Sequence, residues 1–414
     1  MIADGAPVMI APTTLWNRDF SLYFAARAVS LLGDAMMPVA AAVAVGALYG
    51  VSGVGYVLAV WTAPFVLFIA FGGVFSDRIG ARTMMIGADA VRAATQSVLA
   101  VAFLAGAPPL WLLLLAATLA GTAAAMFQPG VNGMVPLVAR DPQRANGTLK
   151  IADAVTQLGG PVLAGLLMVS IGAGAVYALD AGTFLFSGLC LALIRSAPTT
   201  TVRVAGTVLR DLRRGWVEVR ARTWLWSVIL IWVCFGLFVF GPYVPLASQL
   251  IGGRLGASAY GWTIAGLGAG MVVGGLVAIR FRPSRPLAAG AVALTGFAAV
   301  PLSVGLEPAL PTLVIAHLIG GAAMAFWSVM WSTSIQTCVS PEVLNRVTAY
   351  EVAGSVSGIA AGQALIGPAS AVVAPRDLLI LSTAVTAAVV TALLLVRPIR
   401  NLRGRPPTAA RRLG

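Results

Sequence analysis

Long apolar runs, almost free of charge and recurring along the whole chain, limit what it can fold into more than any other feature. Twelve such runs stand at about 20–46, 54–76, 84–106, 108–138, 145–171, 174–195, 223–250, 257–280, 286–306, 309–338, 345–373 and 377–397. A helix that crosses the hydrocarbon core of a bilayer needs about 20 mostly apolar residues. The runs are continuously apolar, which excludes a spanning β-barrel, whose strands alternate. Hydrophobic residues make up 59% of the chain and charged residues 10%, against about 25% charged in soluble domains. The chain reads as an all-α polytopic membrane protein with twelve transmembrane helices. One long basic stretch, Arg195 to Arg222, interrupts the short spacing. It divides the chain into a first six-helix bundle (1–195), a cytoplasmic linker (196–222), a second six-helix bundle (223–397) and an Arg-rich tail (398–414). Within the linker, Val208 to Val219 has the composition of an amphipathic surface helix.

A net charge of +13 in a soluble chain would point to nucleic acid, so the placement of the cations decides its meaning. With the amino terminus inside, only Arg254 and Arg376 fall in outer loops, while Arg27, Arg92 and Lys150 lie within spans; the other basic residues are all cytoplasmic. The positive-inside rule therefore places both termini in the cytoplasm. The charge reports topology, with anionic membrane lipid as a secondary partner and no nucleic acid. Cys190, Cys234 and Cys338 are scattered in or beside apolar spans and show no metal-type spacing. With one histidine and no phosphate-binding glycine loop, neither an enzyme nor an ATP-driven pump is indicated, and no cofactor is expected. The start lacks a basic region followed by a short apolar stretch, so the first span is expected to serve as its own membrane signal.

Charges inside spans are costly and mark pathways or buried pairs. Arg27 and Asp34 are seven residues apart on one face of the first span, about 10 Å along the axis. Asp34 reads as a proton carrier, with a static pair to Arg27 or another arginine, or a hydrogen-bonded neutral acid, as the alternatives. Asp89 and Arg92 have the spacing of a local neutralising pair near the cytoplasmic end of the third span, with a substrate contact as the alternative, and Lys150 and Asp153 repeat that spacing in the fifth as a local pair or a link to the loops. Asp180, toward the outer half of the sixth span, reads as structural. Glu351 has no basic residue three or four positions away and is a second proton-coupling candidate. His317 reads first as a hydrogen-bonded packing residue and second as a titrating one. Trp327 and Trp331, one turn apart, could face a cavity or the packed interior.

The second half repeats the first. Phe326, Pro341 and Asn345 follow Phe127, Pro142 and Asn146 at a constant offset of 199, and Ser340-Pro341-Glu342 echoes Asp141-Pro142-Gln143. Each tripeptide is a helix start, with a capping side chain and a proline at the first position.

Between the second and third spans lies Gly73-Val74-Phe75-Ser76-Asp77-Arg78-Ile79-Gly80-Ala81-Arg82. This turn resembles the signature loop of the major facilitator superfamily of secondary transporters. The resemblance implies two six-helix bundles rocking about a midplane site, with Gly73, Asp77, Arg78, Gly80 and Arg82 forming a cytoplasmic latch to the helix that starts near Pro341. Ala81 stands where the family usually has a base. Glu351 would pair with Arg78 or Arg92 in that latch, or titrate. Phe127-Gln128-Pro129-Gly130 and Ala145-Asn146-Gly147-Thr148-Leu149 resemble the enterobactin-exporter and macrolide-efflux branch. Gly147, Gly160, Pro161 and Gly165 resemble the motif of antiporters and exporters, with Thr156 and Ala164 departing from it. The family arrangement puts spans one, four, seven and ten around the cavity, making Asp34, Asn132, Tyr243 and Trp331 lining candidates. What this implies is a monomeric, proton-coupled exporter of a lipophilic or amphiphilic small molecule in a bacterial cytoplasmic membrane, with multidrug resistance among its roles. The rivals are an importer on the same fold and a receptor or scaffold that moves no solute.

Overall fold

The computed structural model describes residues 15–139, 141–195, 216–281, 283–339 and 341–403, with no strand among them. The linker residues 196–215 and the tail beyond 403 lie outside the described residues.

The first helical stretch, Arg18–Ile79, is broken at Gly50, whose φ of 60° and ψ of −161° suit a residue without a Cβ. We label the arms α1, before Gly50, and α2, after it. A Cβ on Gly46 would stand 3.5 Å from Val54 Cγ2, and one on Gly53 3.3 Å from Val45 Cγ1. Residues eight apart on one straight helix are about 12 Å apart along its axis. The chain therefore doubles back at Gly50, and α1 and α2 form a hairpin.

The remaining helices are α3 (Ala81–Ala105), α4 (Leu110–Val138), α5 (Pro142–Ser170), α6 (Gly172–Leu193), α7 (Thr223–Leu255), α8 (Ala257–Arg280), α9 (Pro286–Leu306), α10 (Leu310–Cys338), α11 (Pro341–Val372) and α12 (Pro375–Leu395). Among the described residues, eleven helical segments are long and apolar enough to cross a membrane, with Arg18–Phe68 counted as one. Their ends follow local chemistry. Asp141 caps α5 by accepting from the Arg144 backbone N–H at 3.1 Å, and Pro142 takes the first helical position, as the sequence implies. The repeat is visible in helix length: α4 and α10 each run 29 residues. Helix α7 is irregular, with π-helical turns at Gly236–Phe240 and Ser248–Gly252.

Small residues set the closest approaches between helices, as expected where lipid gives apolar side chains no reason to associate. A Cβ on Gly261 of α8 would lie 2.5 Å from the Pro161 carbonyl oxygen of α5, and one on Gly165 2.8 Å from the Ala257 carbonyl oxygen. On the other side, a Cβ on Gly55 of α2 would collide with the Gln363 carbonyl oxygen of α11, and one on Gly367 would lie 2.7 Å from Ser52 Oγ. These contacts join α1–α6 to α7–α12 near the end of the molecule that holds the Gly50 and Gly172 turns.

Candidate functional site

A cavity of about 790 Å³ lies among α1 to α6, with Val244 of α7 and Gln363 of α11 reaching in from the other group. Its size falls within the range of about 300–1,000 Å³ usual for small-molecule sites. Much of the wall is aliphatic or aromatic. Trp61 and Phe65, one turn apart on α2, stack with ring centres 5.4 Å apart, and Phe127, Tyr177 and Phe184 add further rings. Polar groups are few: Asp34, Arg27, Arg92, Asp153, Thr62 and the glutamines Gln96, Gln128, Gln157 and Gln363. Thr62 donates to Gln363 Oε1 at 2.9 Å, a buried bond between α2 and α11.

The charges are organised around Arg92, which is 4% exposed. Its Nη1 lies 3.3 Å from Asp34 Oδ2, and its Nη2 donates to Asp89 Oδ1 at 2.5 Å. Ser187 of α6 donates to the other Asp89 oxygen at 2.7 Å. The guanidinium lies over the rings of Phe127 and Phe184, at 4.4 and 4.2 Å from their centres. Two carboxylates and two aromatic faces replace the water this cation has lost, as buried ions require. Asp34 keeps 42% of its side chain exposed and so presents a carboxylate to the cavity. Arg27 does not pair with Asp34; its guanidinium lies 5.4 Å from the Phe127 ring centre.

Several expectations change in this geometry. Asp89 and Arg92 do pair across one turn, but Asp34 joins them, so the pair belongs to a three-helix network. Glu351 does not reach Arg92: its Oε1 accepts from Trp331 Nε1 at 3.3 Å, within α10 and α11. Asp180 of α6, read as structural from the sequence, reaches α1. It is 0% exposed and lies against Gly33, where a Cβ would collide with Asp180 Oδ1 and Thr183 Oγ1. Tyr243, Trp327 and Trp331 are not among the cavity-lining residues. Trp327 is 1% exposed and stacks on Trp232 with centres 5.2 Å apart, while Trp331 meets Trp224 edge to face. His317, also fully buried, bonds the Tyr243 hydroxyl at 2.5 Å and the Leu313 carbonyl at 2.7 Å. A carbonyl can only accept, so Nδ1 carries a proton. Full burial without a counter-charge among the described residues favours the neutral ring, in which Nε2 accepts from Tyr243.

The signature turn is described in part. The backbone of Gly73, Asp77 and Arg78 is helical, and their side chains lie outside the described residues, as do those of Asn132, Gly147 and Lys150. Gly80 starts α3 with φ of 91°. Arg82 donates to the Leu191 carbonyl at 2.8 Å and the Ala192 carbonyl at 2.5 Å, so its side chain ties α3 to the end of α6 and does not cross to α11. Asp153 stands on the cavity wall. Gly160, Pro161 and Gly165 all lie at close helix contacts: a Cβ on Gly160 would be 2.5 Å from Ala35 Cβ of α1.

The sequence reading did not single out Gln96, Trp61, Phe65, Thr62 or Gln363. A glutamine one turn beyond an intramembrane arginine was the available signal for Gln96. No local signal marks the others, because the opposing helix decides whether they face a cavity.

Comparison with known proteins agrees with this architecture. The solved structure of the D323A mutant of the nucleoside transporter NupG superposes with a TM-score of 0.72 at 13% identity, covering 91% of this chain and 98% of that one; the likeness shows the fold. An uncharacterized MFS-type transporter of Bacillus subtilis, YvqJ, is 25% identical over 379 residues, 87% of this chain and 88% of the relative. Macrolide efflux protein A of Streptococcus pyogenes is 23% identical over 364 residues, 83% and 87% of the two chains. The sequence pattern of the Major Facilitator Superfamily matches residues 22–362. With that match over most of its length, on a bundle of apolar helices around a central cavity, the chain belongs to the major facilitator superfamily of transporters.

Proposed function

We propose that this transporter is a proton-coupled exporter of a lipophilic or amphiphilic small molecule, working by alternating access as a monomer in the cytoplasmic membrane. The observation that carries the reading is the cavity wall: aromatic and aliphatic over much of its extent, with the partly exposed Asp34 carboxylate held by a buried arginine. Such a surface suits a cargo that is mostly apolar and carries a few polar groups, and relatives named for macrolide efflux favour the outward direction. In this reading the chain crosses the membrane twelve times, counting α1 and α2 separately, with both termini inside. The two groups of six helices rock as bodies about the glycine contacts between α2 and α11 and between α5 and α8. Asp77 latches the cytoplasmic ends of the two groups, and Asp34 faces both cargo and proton.

The test is accumulation of a panel of lipophilic dyes and antibiotics in cells that express the protein or its Asp34→Asn variant, with and without a protonophore. Lower accumulation that needs both Asp34 and the proton gradient is the expected result. Higher accumulation in expressing cells would reverse the direction to import, and unchanged accumulation of every compound would sink the drug-type cargo.

A further inference from the structure

The network around Arg92 does not use every polar group buried beside it. Asp180 is fully buried, and its Oδ2 accepts from nothing. Gln96 lies within hydrogen-bonding reach of that carboxyl, yet its own Oε1 has no donor. Ser30 Oγ and Arg92 Nε are also buried without a partner. Local spacing gathers these atoms together. Ser30 lies one turn before Gly33, the residue on which Asp180 rests; Gln96 lies one turn after Arg92; and Phe184, which covers the Arg92 guanidinium, lies one turn after Asp180. Unsatisfied buried polar atoms are rare in folded proteins, and a cluster of them calls for a missing atom.

We propose that the missing atom is a proton, and that Asp180 is the residue that carries it through the transport cycle. A proton on the Asp180 oxygen that accepts nothing turns it into an O–H donor, and Gln96, whose side chain is within hydrogen-bonding reach of that carboxyl, has its Oε1 free to accept. Charge balance points the same way. Asp34, Asp89 and Asp180 surround Arg92, and Arg27 shares the Phe127 ring with it. Three carboxylates against two guanidiniums leave one negative charge; two of the three carboxylates, Asp89 and Asp180, are buried, and one proton removes the excess.

The ionisable groups that face Asp180 are Asp34 from α1, Arg92 from α3 and Tyr177 on its own helix. Asp89 is occupied by Arg92 and Ser187, and Asp34 is held by Arg92 while open to the cavity. The proton enters from cavity water onto the exposed Asp34 carboxylate, which loosens its bond to Arg92, and passes to Asp180. Asp34 is then ionised again and rejoins the guanidinium. Release follows the same path in reverse, so no bond other than the carboxyl O–H forms or breaks.

This proposal rests on the reading of the chain as proton-coupled, and its first test does not. The infrared spectrum of the purified protein at neutral pH should contain a carboxylic-acid carbonyl band that is lost in Asp180→Asn and kept in Asp34→Asn. In Gln96→Leu the band should persist at a shifted frequency, an effect that general loss of packing would not produce. Raising the pH should remove it reversibly. Absence of the band from the wild-type minus Asp180→Asn difference, or its persistence at every pH, would overturn the proposal. In proteoliposomes loaded with rhodamine 6G, Asp180→Asn should lose proton-driven efflux while keeping downhill equilibration; full proton-driven efflux in that variant would also overturn it. A titrating band together with wild-type protein that shows no proton-driven efflux would remove the exporter reading and leave Asp180 established as a proton site.

Discussion

Helices α1–α6 and α7–α12 follow the same order, with α4 and α10 equal in length, and differ in what they bury. Among the described residues, every buried aspartate and arginine lies in the first group, where Asp89, Arg92 and Asp180 meet beside the cavity. The second group fills the same depth with rings: Trp327 on Trp232, Trp331 on Trp224, and Phe235 near Phe240 and Phe297. Its buried Tyr243 and His317 are hydrogen-bonded to each other, and His317 also to the Leu313 carbonyl. The cavity follows this division, since among the described residues α7–α12 contribute Val244 and Gln363 alone to its wall. The first group therefore places its charges beside the cavity, and the second packs its interior with aromatic rings.

Arg92→Met tests the charged group most severely. It leaves Asp89 buried without its cation, and loss of one partner of a buried pair costs about 3–5 kcal/mol. Thermal unfolding in detergent should show a loss of that order, and a change below about 1 kcal/mol would mean that Arg92 does not organise the group. Gly261→Val tests the joint between the groups, where the added carbons meet the Pro161 carbonyl. Overpacking of this kind costs about 1–3 kcal/mol. Spin labels on α5 and α8 should move apart, and unchanged distances would show that the glycine contact is not what brings these helices together. Tyr243→Phe probes the packed group. It removes the donor to His317 Nε2 and should cost about 1–2 kcal/mol while leaving dye efflux intact, whereas loss of efflux with stability retained would place a transport function in the second group after all. Asp34→Asn should change stability least, within about 1 kcal/mol, because the Asp34 carboxylate is 42% exposed and its pairing is screened. The same variant should abolish gradient-driven flux. A large loss of stability there would make Asp34 a structural ion and erase the contrast between the two groups.

Helix-forming segments and their ends were legible because they depend on neighbouring residues. Apolar length marks a spanning helix, and Asp141-Pro142 starts α5 by its own chemistry. The pairing of Asp89 with Arg92 was also legible, being one helical turn apart. By contrast, Asp34 and Arg92 are 58 residues apart, and nothing local says whether the first span turns its carboxylate toward Arg27 or toward α3. Asp180 read only as a structural residue, because helix order in the sequence does not reveal that Gly33 opens a space for it.

By itself, then, the sequence determined the class of fold, the apolar spans, the repeat and the family, all of which follow from hydropathy, local turn chemistry and motif spacing. Only the tertiary structure decided which charges meet, which aromatic residues line the cavity and which form the packed interior. Those outcomes depend on how each helix is rotated about its axis and how closely its neighbours approach. Both are set by packing between residues far apart in the chain.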